Sequence, residues 1–323
     1  MLGGVAYALI AGLMWGLVFI CPLLMPEYPA MMLAAGRYLA FGLIALPLAW
    51  LDRRRLSQLA ASDWKEALKL AAVGNLLYYF CLATAIQRAG GPLPTMIIGT
   101  LPVVIAVAGN LRNARRDGVL PWRRLTLPLL VIALGIGCVN TMELGLQQRG
   151  AEATALSRYL TGVVFALGAL VCWTWYPLRN ADWLRHHPGR SPRTWATAQG
   201  IATLPLALIG YGGFWLWCQA AGESFPMPFG PRPVSFVGLM LAIGLLASWL
   251  GTLCWNEASQ RLPTAIAGQL IVFETLAALV YAYLLRAHWP APVSMIGIGL
   301  LVVGVLLAVR IRPERRPAVP ADD

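Results

Sequence analysis

Charge is what this sequence has least of. Only 12% of its 323 residues are Asp, Glu, Lys or Arg, against about 25% in an average soluble domain. A chain with so few charges and 59% apolar residues, at a mean hydropathy of +0.66, cannot cover a water-facing surface, so lipid must cover part of it. Histidine is nearly missing, with His186, His187 and His288 all outside the apolar runs. No Cys-x-x-Cys or His-Glu-x-x-His occurs, which leaves no metal-ligand pattern. No Gly-x-x-x-x-Gly-Lys-[Ser/Thr] occurs either, so the chain carries no phosphate-binding loop of its own. The six cysteines are scattered, mostly inside apolar runs (Cys21, Cys81, Cys138, Cys172, Cys254), and read as small packing residues. No enzyme and no cofactor is expected. The formal charge of +11 sits in short loops between apolar runs, so it speaks of membrane topology and not of nucleic acid.

Apolar runs of about 20 residues, the length that crosses a bilayer, are what the chain does have, the fifth being short and rich in small residues (Ala133, Gly135, Gly137). Ten are legible: 2–24, 29–50, 64–87, 92–111, 125–140, 159–178, 194–217, 234–256, 263–285 and 293–309. The first has no basic start or cleavage site and reads as a retained helix. Its Gly12 and Gly16 are spaced for close approach by another helix. A polar stretch, 141–157, parts the halves, and the tail from Arg310 is rich in proline and charge. Eighteen of the 25 Lys and Arg fall in the even-numbered connections (after spans 2, 4, 6 and 8) and in the C-terminus, and five in the others. The positive-inside rule then places both termini in the cytoplasm. Trp50, Trp64, Trp122, Trp183, Trp215, Trp217 and Trp289 stand at expected helix ends, as an interfacial belt would.

The chain also repeats itself. Gln87-Arg88-Ala89 returns as Gln260-Arg261-Leu262, Cys81 and Cys254 keep that offset, and Gln87 lies as far from Pro102 as Gln260 from Thr275. Trp15 of span 1 matches Trp173 of span 6. Five spans per copy is an odd number, so the second copy enters the membrane the other way round. Inverted repeats are an architecture of secondary transporters, with the substrate site near mid-membrane between the halves. The expected fold is therefore an all-α polytopic membrane protein of ten transmembrane helices, as two inverted five-helix repeats around a central cavity. The expected divisions are 1–145, a linker 146–156, 157–311, and a disordered cytoplasmic tail 312–323.

Trp15-Gly16, Arg37, the run from Ala85 to Pro102 and their echoes resemble the drug/metabolite transporter superfamily, in particular its ten-helix EamA-type members, along essentially the whole chain. More loosely, the aromatic cluster resembles that of the YddG-type exporters of aromatic amino acids. Two features depart from that pattern. Glu274 precedes Thr275 where the family often has proline, and Asn110-Leu111-Arg112 and Leu285-Arg286-Ala287 replace its Gly-Glu pairs. The resemblance implies a basket in which spans 1, 3, 4, 6, 8 and 9 line the cavity while 5 and 10 pack outside. It implies a bacterial inner-membrane location, a lipid bilayer and a small-molecule substrate as partners, no nucleic acid, and a monomer as the simplest state.

Polar residues at lipid depth should face protein or water. Candidate substrate contacts are Trp15, Asn75, Tyr78, Tyr79, Thr100, Trp173, Tyr176, Ser248, Trp249 and Glu274. Asn75, Tyr78 and Tyr79 fall on one face of span 3 by helical spacing. Glu274 reads either as a proton-responsive or amine-binding group or as a buried structural hydrogen-bonder. Arg37 reads either as a carboxylate contact or as a structural cation that snorkels, or pairs with backbone carbonyls, Glu274 or Glu27. Pro102, at mid-depth in span 4, is a candidate hinge. The expected function is export of small amphipathic metabolites, aromatic or neutral amino acids first. A multidrug or organic-cation efflux carrier stays open, as does a non-transporting scaffold or a lipid-translocating protein.

Overall fold

The structure, a computed structural model, describes residues 2–105, 107–108, 111, 121–147, 153–286 and 292–311. Asn110, Arg112, Arg115, Arg116, the middle of the expected linker at 148–152, Ala287, His288, Trp289 and the tail 312–323 lie outside them. The described residues form an all-α polytopic membrane protein whose helices fall into ten rods. Seven are long and apolar enough to cross a membrane, and Leu93–Ile105 and Met295–Gly304 are shorter apolar helices.

Span 1 is Leu2–Leu24 and span 2 is Ala30–Leu51. Span 3, Ala61–Ala89, is one rod whose middle, Ala71–Leu77, is a π-helix. Span 4 begins with Pro92–Gly99 and breaks at Thr100, two residues before Pro102. Span 5 is Trp122–Gln147, span 6 Ala153–His186 and span 7 Pro192–Ala221. Span 8 is Pro233–Arg261, again with a π-helix in its middle, Gly244–Leu250. Span 9 is Thr264–Leu270 and Val272–Arg286, broken at Ile271, and span 10 is Pro292–Val309.

Local chemistry sets many of these ends. Proline is the first helical residue of spans 4, 7, 8 and 10, where its missing N–H leaves nothing unsatisfied. Span 7 stops at Gly222, whose φ of 66° is the left-handed cap that glycine alone adopts without strain. Spans 5 and 6 run longer than their apolar stretches, taking in residues 141–147 and 153–158 of the polar stretch. A helix needs apolar residues only at lipid depth and continues past it on backbone hydrogen bonds.

Packing follows the repeat. Span 2 lies along span 7, span 5 along span 10, span 3 along span 6, and span 1 against spans 8 and 9. Spans 2 and 7 run antiparallel: Gly42 abuts Leu204, Gly200 abuts Ala45, and Gly210 abuts Met31. Spans 5 and 10 do likewise, with Gly135 against Gly297 and Leu301, and Gly304 against Ile132. Span 6 runs opposite to span 1, because Trp15 meets Trp173 while Arg185 bonds the carbonyl of Leu262 beside Gly4. Both π-helices stand at the 173-residue offset that also separates Gln87 from Gln260. Exposed apolar side chains such as Leu43, Val171, Ile209 and Leu216 face outward, where lipid would cover them.

One expected anchor is corrected. Trp183 belongs to no interfacial belt: it is buried, donates to Asp63 Oδ1 (3.0 Å) and stacks on Trp195. Span 6 ends at His186, so Trp183 does lie in its last turn, but its ring turns inward between Trp195 and His187 and not out to lipid. Trp50, Trp122, Trp215 and Trp217 are exposed, as the belt requires.

Candidate functional site

The site is built where span 1 lies on span 9. Gly12 and Gly16 take the backbone of span 1 against Phe273–Glu274 and Ala277–Ala278, as their spacing implies. Between them Trp15 projects toward span 8, where its indole N–H donates to the carbonyl of Ala247 at 2.9 Å. Ala247 lies in the π-helix. Gly251 leaves room for this ring, since a Cβ there would stand 2.8 Å from Trp15 Nε1.

Span 6 contributes Trp173 and Tyr176, one helical neighbour apart. Their rings stack at 5.1 Å, and Tyr78 of span 3 stacks on Trp173 at 4.4 Å. Trp15 meets Trp173 edge-on at 4.8 Å and Trp255 at 5.3 Å. Tyr176 fits because Gly74 has no side chain, and a Cβ there would collide with its ring. Two members of this aromatic cluster, Trp173 and Tyr78, hold one carboxylate, Glu274, which is 1% exposed. Trp173 Nε1 donates to its Oε2 at 3.1 Å and Tyr78 OH to its Oε1 at 3.4 Å. The break at Ile271 puts Glu274 in the first turn of Val272–Arg286, where the helix dipole favours a negative charge.

Arg37 forms a second group beside the first. It is 4% exposed, donates from Nε to Ser248 Oγ at 2.9 Å, and lies over the rings of Tyr38 (4.8 Å) and Tyr79 (4.6 Å). Neither Glu274 nor Glu27 is its partner among the described residues; Glu27 pairs with Arg232 instead. That hydrogen bond holds the Glu27 carboxyl, in the loop after span 1, below its ordinary range. Asn75 mirrors Ser248 across the repeat and donates to Thr203 Oγ1 of span 7 at 3.2 Å.

The expected residues thus divide. Trp15, Tyr78, Trp173, Tyr176 and Glu274 form one cluster. Arg37, Tyr79 and Ser248 form the neighbouring one. Asn75, Tyr78 and Tyr79 do not share a face: they turn to span 7, to Glu274 and to the carbonyl of Val18 in span 1. The π-helix that contains Asn75 ends just before Tyr78 and breaks the regular α spacing. Trp249 donates to Thr197 Oγ1 (3.3 Å), and Thr100 donates to Ile97 O (2.7 Å) in its own helix.

Sequence reasoning missed a polar hub that continues from Tyr176. Tyr176 OH donates to Gln199 Oε1 (2.8 Å), and Asn180 Oδ1 accepts from Gln199 and Trp195. Asn180 Nδ2 in turn donates to Asn256 Oδ1 at 2.8 Å. Closing span 6 at Leu178 put Asn180 outside the helix; the signal was Gln199 and Thr203, four apart in a largely apolar run that also holds Thr194 and Thr197. Beyond the hub, where span 1 begins, Arg179 pairs with Glu66 and Arg190 bonds Gln58.

Clefts open at both ends. At the far end, one of about 720 Å³ is lined by Phe80, Arg88, Phe165, Trp217 and Glu223 among others, and one of about 660 Å³ includes Glu27, Arg88 and Arg158. At the starting end, one of about 460 Å³ lies among Asp63, Glu66, Arg179 and His187. At mid-depth the aromatic rings pack on one another around Glu274.

The model of the EamA-like transporter family matches residues 2–116. The inner membrane protein YtfF of Escherichia coli (strain K12) is 56% identical over 98% of this chain and 97% of its own length. The uncharacterized transporter YwfM of Bacillus subtilis (strain 168) is 27% identical over 98% of this chain and 96% of its own. A probable terminal-alkyne amino-acid exporter of Streptantibioticus cattleyicolor is 32% identical over 38% of this chain and 45% of its own. A crystal structure with 17% identity superposes with a TM-score of 0.67 over 95% of this chain and 98% of that one, a likeness of fold.

Proposed function

The chain belongs to the EamA-like transporter family of the drug/metabolite transporter superfamily, and from that premise we propose that it exports small amphipathic metabolites, aromatic or neutral amino acids first, as a secondary carrier working by alternating access. The observation that carries this reading is Glu274: a buried carboxylate at mid-span, held by two neutral donors that belong to a cluster of stacked aromatic rings. Buried charges in spans are expensive and mark substrate or proton pathways. Aromatic faces attract an ammonium by about 0.5–2 kcal/mol and also accept an apolar side chain. The partial likeness to an exporter of an amino acid supports the same substrate class.

In this reading residues 1–145 and 157–311 are the two inverted repeats, both termini are cytoplasmic, and the membrane is the bacterial inner membrane. The conformation is then closed on the cytoplasmic side by the Asn180 hub and the Glu66–Arg179 pair, with its larger clefts on the outside. Substrate enters when the stacked rings part.

A carboxylate in an aromatic cage also suits an organic cation, which is the second reading. Counterflow in proteoliposomes decides between them, with a panel of amino acids and lipophilic cations across imposed pH gradients. Saturable exchange of phenylalanine is expected, faster with one side acidified. A rate flat with pH removes the proton role of Glu274, and exchange of lipophilic cations alone selects the second reading. Absence of any saturable exchange sinks the carrier.

Trp173→Ala removes a stacking face and one of the two donors to Glu274. An aromatic contact is worth about 0.5–1.5 kcal/mol, so roughly a three- to tenfold rise in the half-saturating phenylalanine concentration is expected. Unchanged affinity and selectivity would take Trp173 out of the site.

A further inference from the structure

The geometry points to a substrate bound as a zwitterion, its carboxylate on Arg37 and its ammonium at Glu274. This rests on the amino-acid reading above and deepens it. Among the described residues, Arg37 and Glu274 are two buried charges of opposite sign that no ion pair neutralises. Arg37 spends Nε on the hydroxyl of Ser248, and its faces lie over Tyr38 and Tyr79. Its Nη1 is buried and has no hydrogen-bond partner. A folded interior rarely leaves such an atom unsatisfied, and an unsatisfied charged donor is the costlier kind. Among the described residues, Glu274 receives only the neutral donors Trp173 and Tyr78.

Span 3 links the two charges through consecutive residues. Tyr78 touches Glu274, and the next residue, Tyr79, carries the guanidinium on its ring. Both charges also straddle the halves, since Arg37 is on span 2 and Glu274 on span 9. A planar guanidinium matches a carboxylate in geometry and charge. The carboxylate beside Trp173 and Tyr78 matches an ammonium. A molecule with one group of each sign on a single carbon satisfies both residues and enters with no net charge. A lone amine completes only Glu274, and a lone acid only Arg37. The rings of Trp15, Tyr78 and Trp173, packed on one another here, take the side chain of the substrate once they part.

The test is competition against labelled phenylalanine in proteoliposome counterflow. The competitors are phenylalanine, its methyl ester, phenethylamine and 3-phenylpropionate. In the wild type, phenylalanine is expected to compete at least tenfold better than each of the other three. Arg37→Gln is expected to weaken phenylalanine at least tenfold and to leave phenethylamine as it was, while Arg37→Lys recovers part of the loss. A methyl ester that competes as well as phenylalanine overturns the inference while the carrier stands. So does an Arg37→Gln protein with an unchanged phenylalanine-to-ester ratio. If Arg37→Gln does not fold, the wild-type panel decides alone. A wild type that exchanges lipophilic cations and no amino acid overturns the amino-acid reading, and this inference with it.

Discussion

Replacing Glu274 by glutamine is expected to stop exchange without loosening the protein. Two opposed terms set the stability. Glutamine keeps one acceptor oxygen, so either Tyr78 or Trp173 loses its partner, at about 1–3 kcal/mol for a buried donor. Against this, a full charge leaves mid-span, which relieves about 2.5–3.5 kcal/mol on insertion scales. The two nearly cancel, and the thermal midpoint in detergent should hold or rise. The counterflow rate should fall at least tenfold, because the neutral amide neither takes up a proton nor balances an ammonium. A residue kept only as a hydrogen-bond acceptor behaves otherwise, with rate following stability. Glu274→Gln protein that exchanges phenylalanine at the wild-type rate removes Glu274 from the mechanism.

Gly16→Leu should do the opposite and lower stability and exchange together. A Cβ on Gly16 would stand 2.6 Å from the Ala277 Cβ and 2.9 Å from the Ala278 nitrogen. The obstacle is partly backbone, so no rotamer change clears it. Overfilling a packed interface costs about 1–3 kcal/mol, and here the remaining side-chain atoms must also find room. Span 1 would be pushed off span 9 beside Glu274, taking Trp15 away from Trp173. A marked fall in the thermal midpoint with loss of counterflow is expected. Gly3→Leu is the matched control on the same helix, since nothing lies within 4 Å of its Cβ position. If Gly16→Leu is as stable as Gly3→Leu, the tight crossing of spans 1 and 9 is wrong.

Much of this arrangement is legible in residue order. Apolar runs give the ten rods, seven of them long and apolar enough to cross a bilayer. The Gln87/Gln260 and Trp15/Trp173 matches point to two copies, and the antiparallel contacts of spans 1 and 6 and of 2 and 7 agree with them. Gly12 and Gly16 announce a close crossing without naming its partner, since spacing describes one helix and not its neighbour. Glu274 stands out because a carboxylate in an apolar run is conspicuous. The partner of Arg37 was not legible: Ser248 is one of many hydroxyls, and only packing selects it. Trp183 stands at a helix end as expected but is turned inward by Asp63 and Trp195, which only packing decides, whereas Asn180 was misplaced by the length of the span. Hydropathy ends a span where lipid ends, whereas span 6 continues to His186 on protein contacts. The π-helices have no compositional mark at all, since widening depends on what presses against a helix.

Those widened stretches, Ala71–Leu77 and Gly244–Leu250, turn residue count into an aiming device. Each residue of a helix advances the phase by about 100°. A π-turn takes up more residues than an α-turn, so winding Ala71–Leu77 back into α geometry at the same length would swing everything beyond it, carrying Tyr78 off Glu274 and Tyr79 off Arg37 in one movement. A substitution at Leu77, which faces outward, leaves the aim intact. At these two places the aim of the outer half-span is set by the width of the turn, and a return to regular winding there is a rotation of half a span.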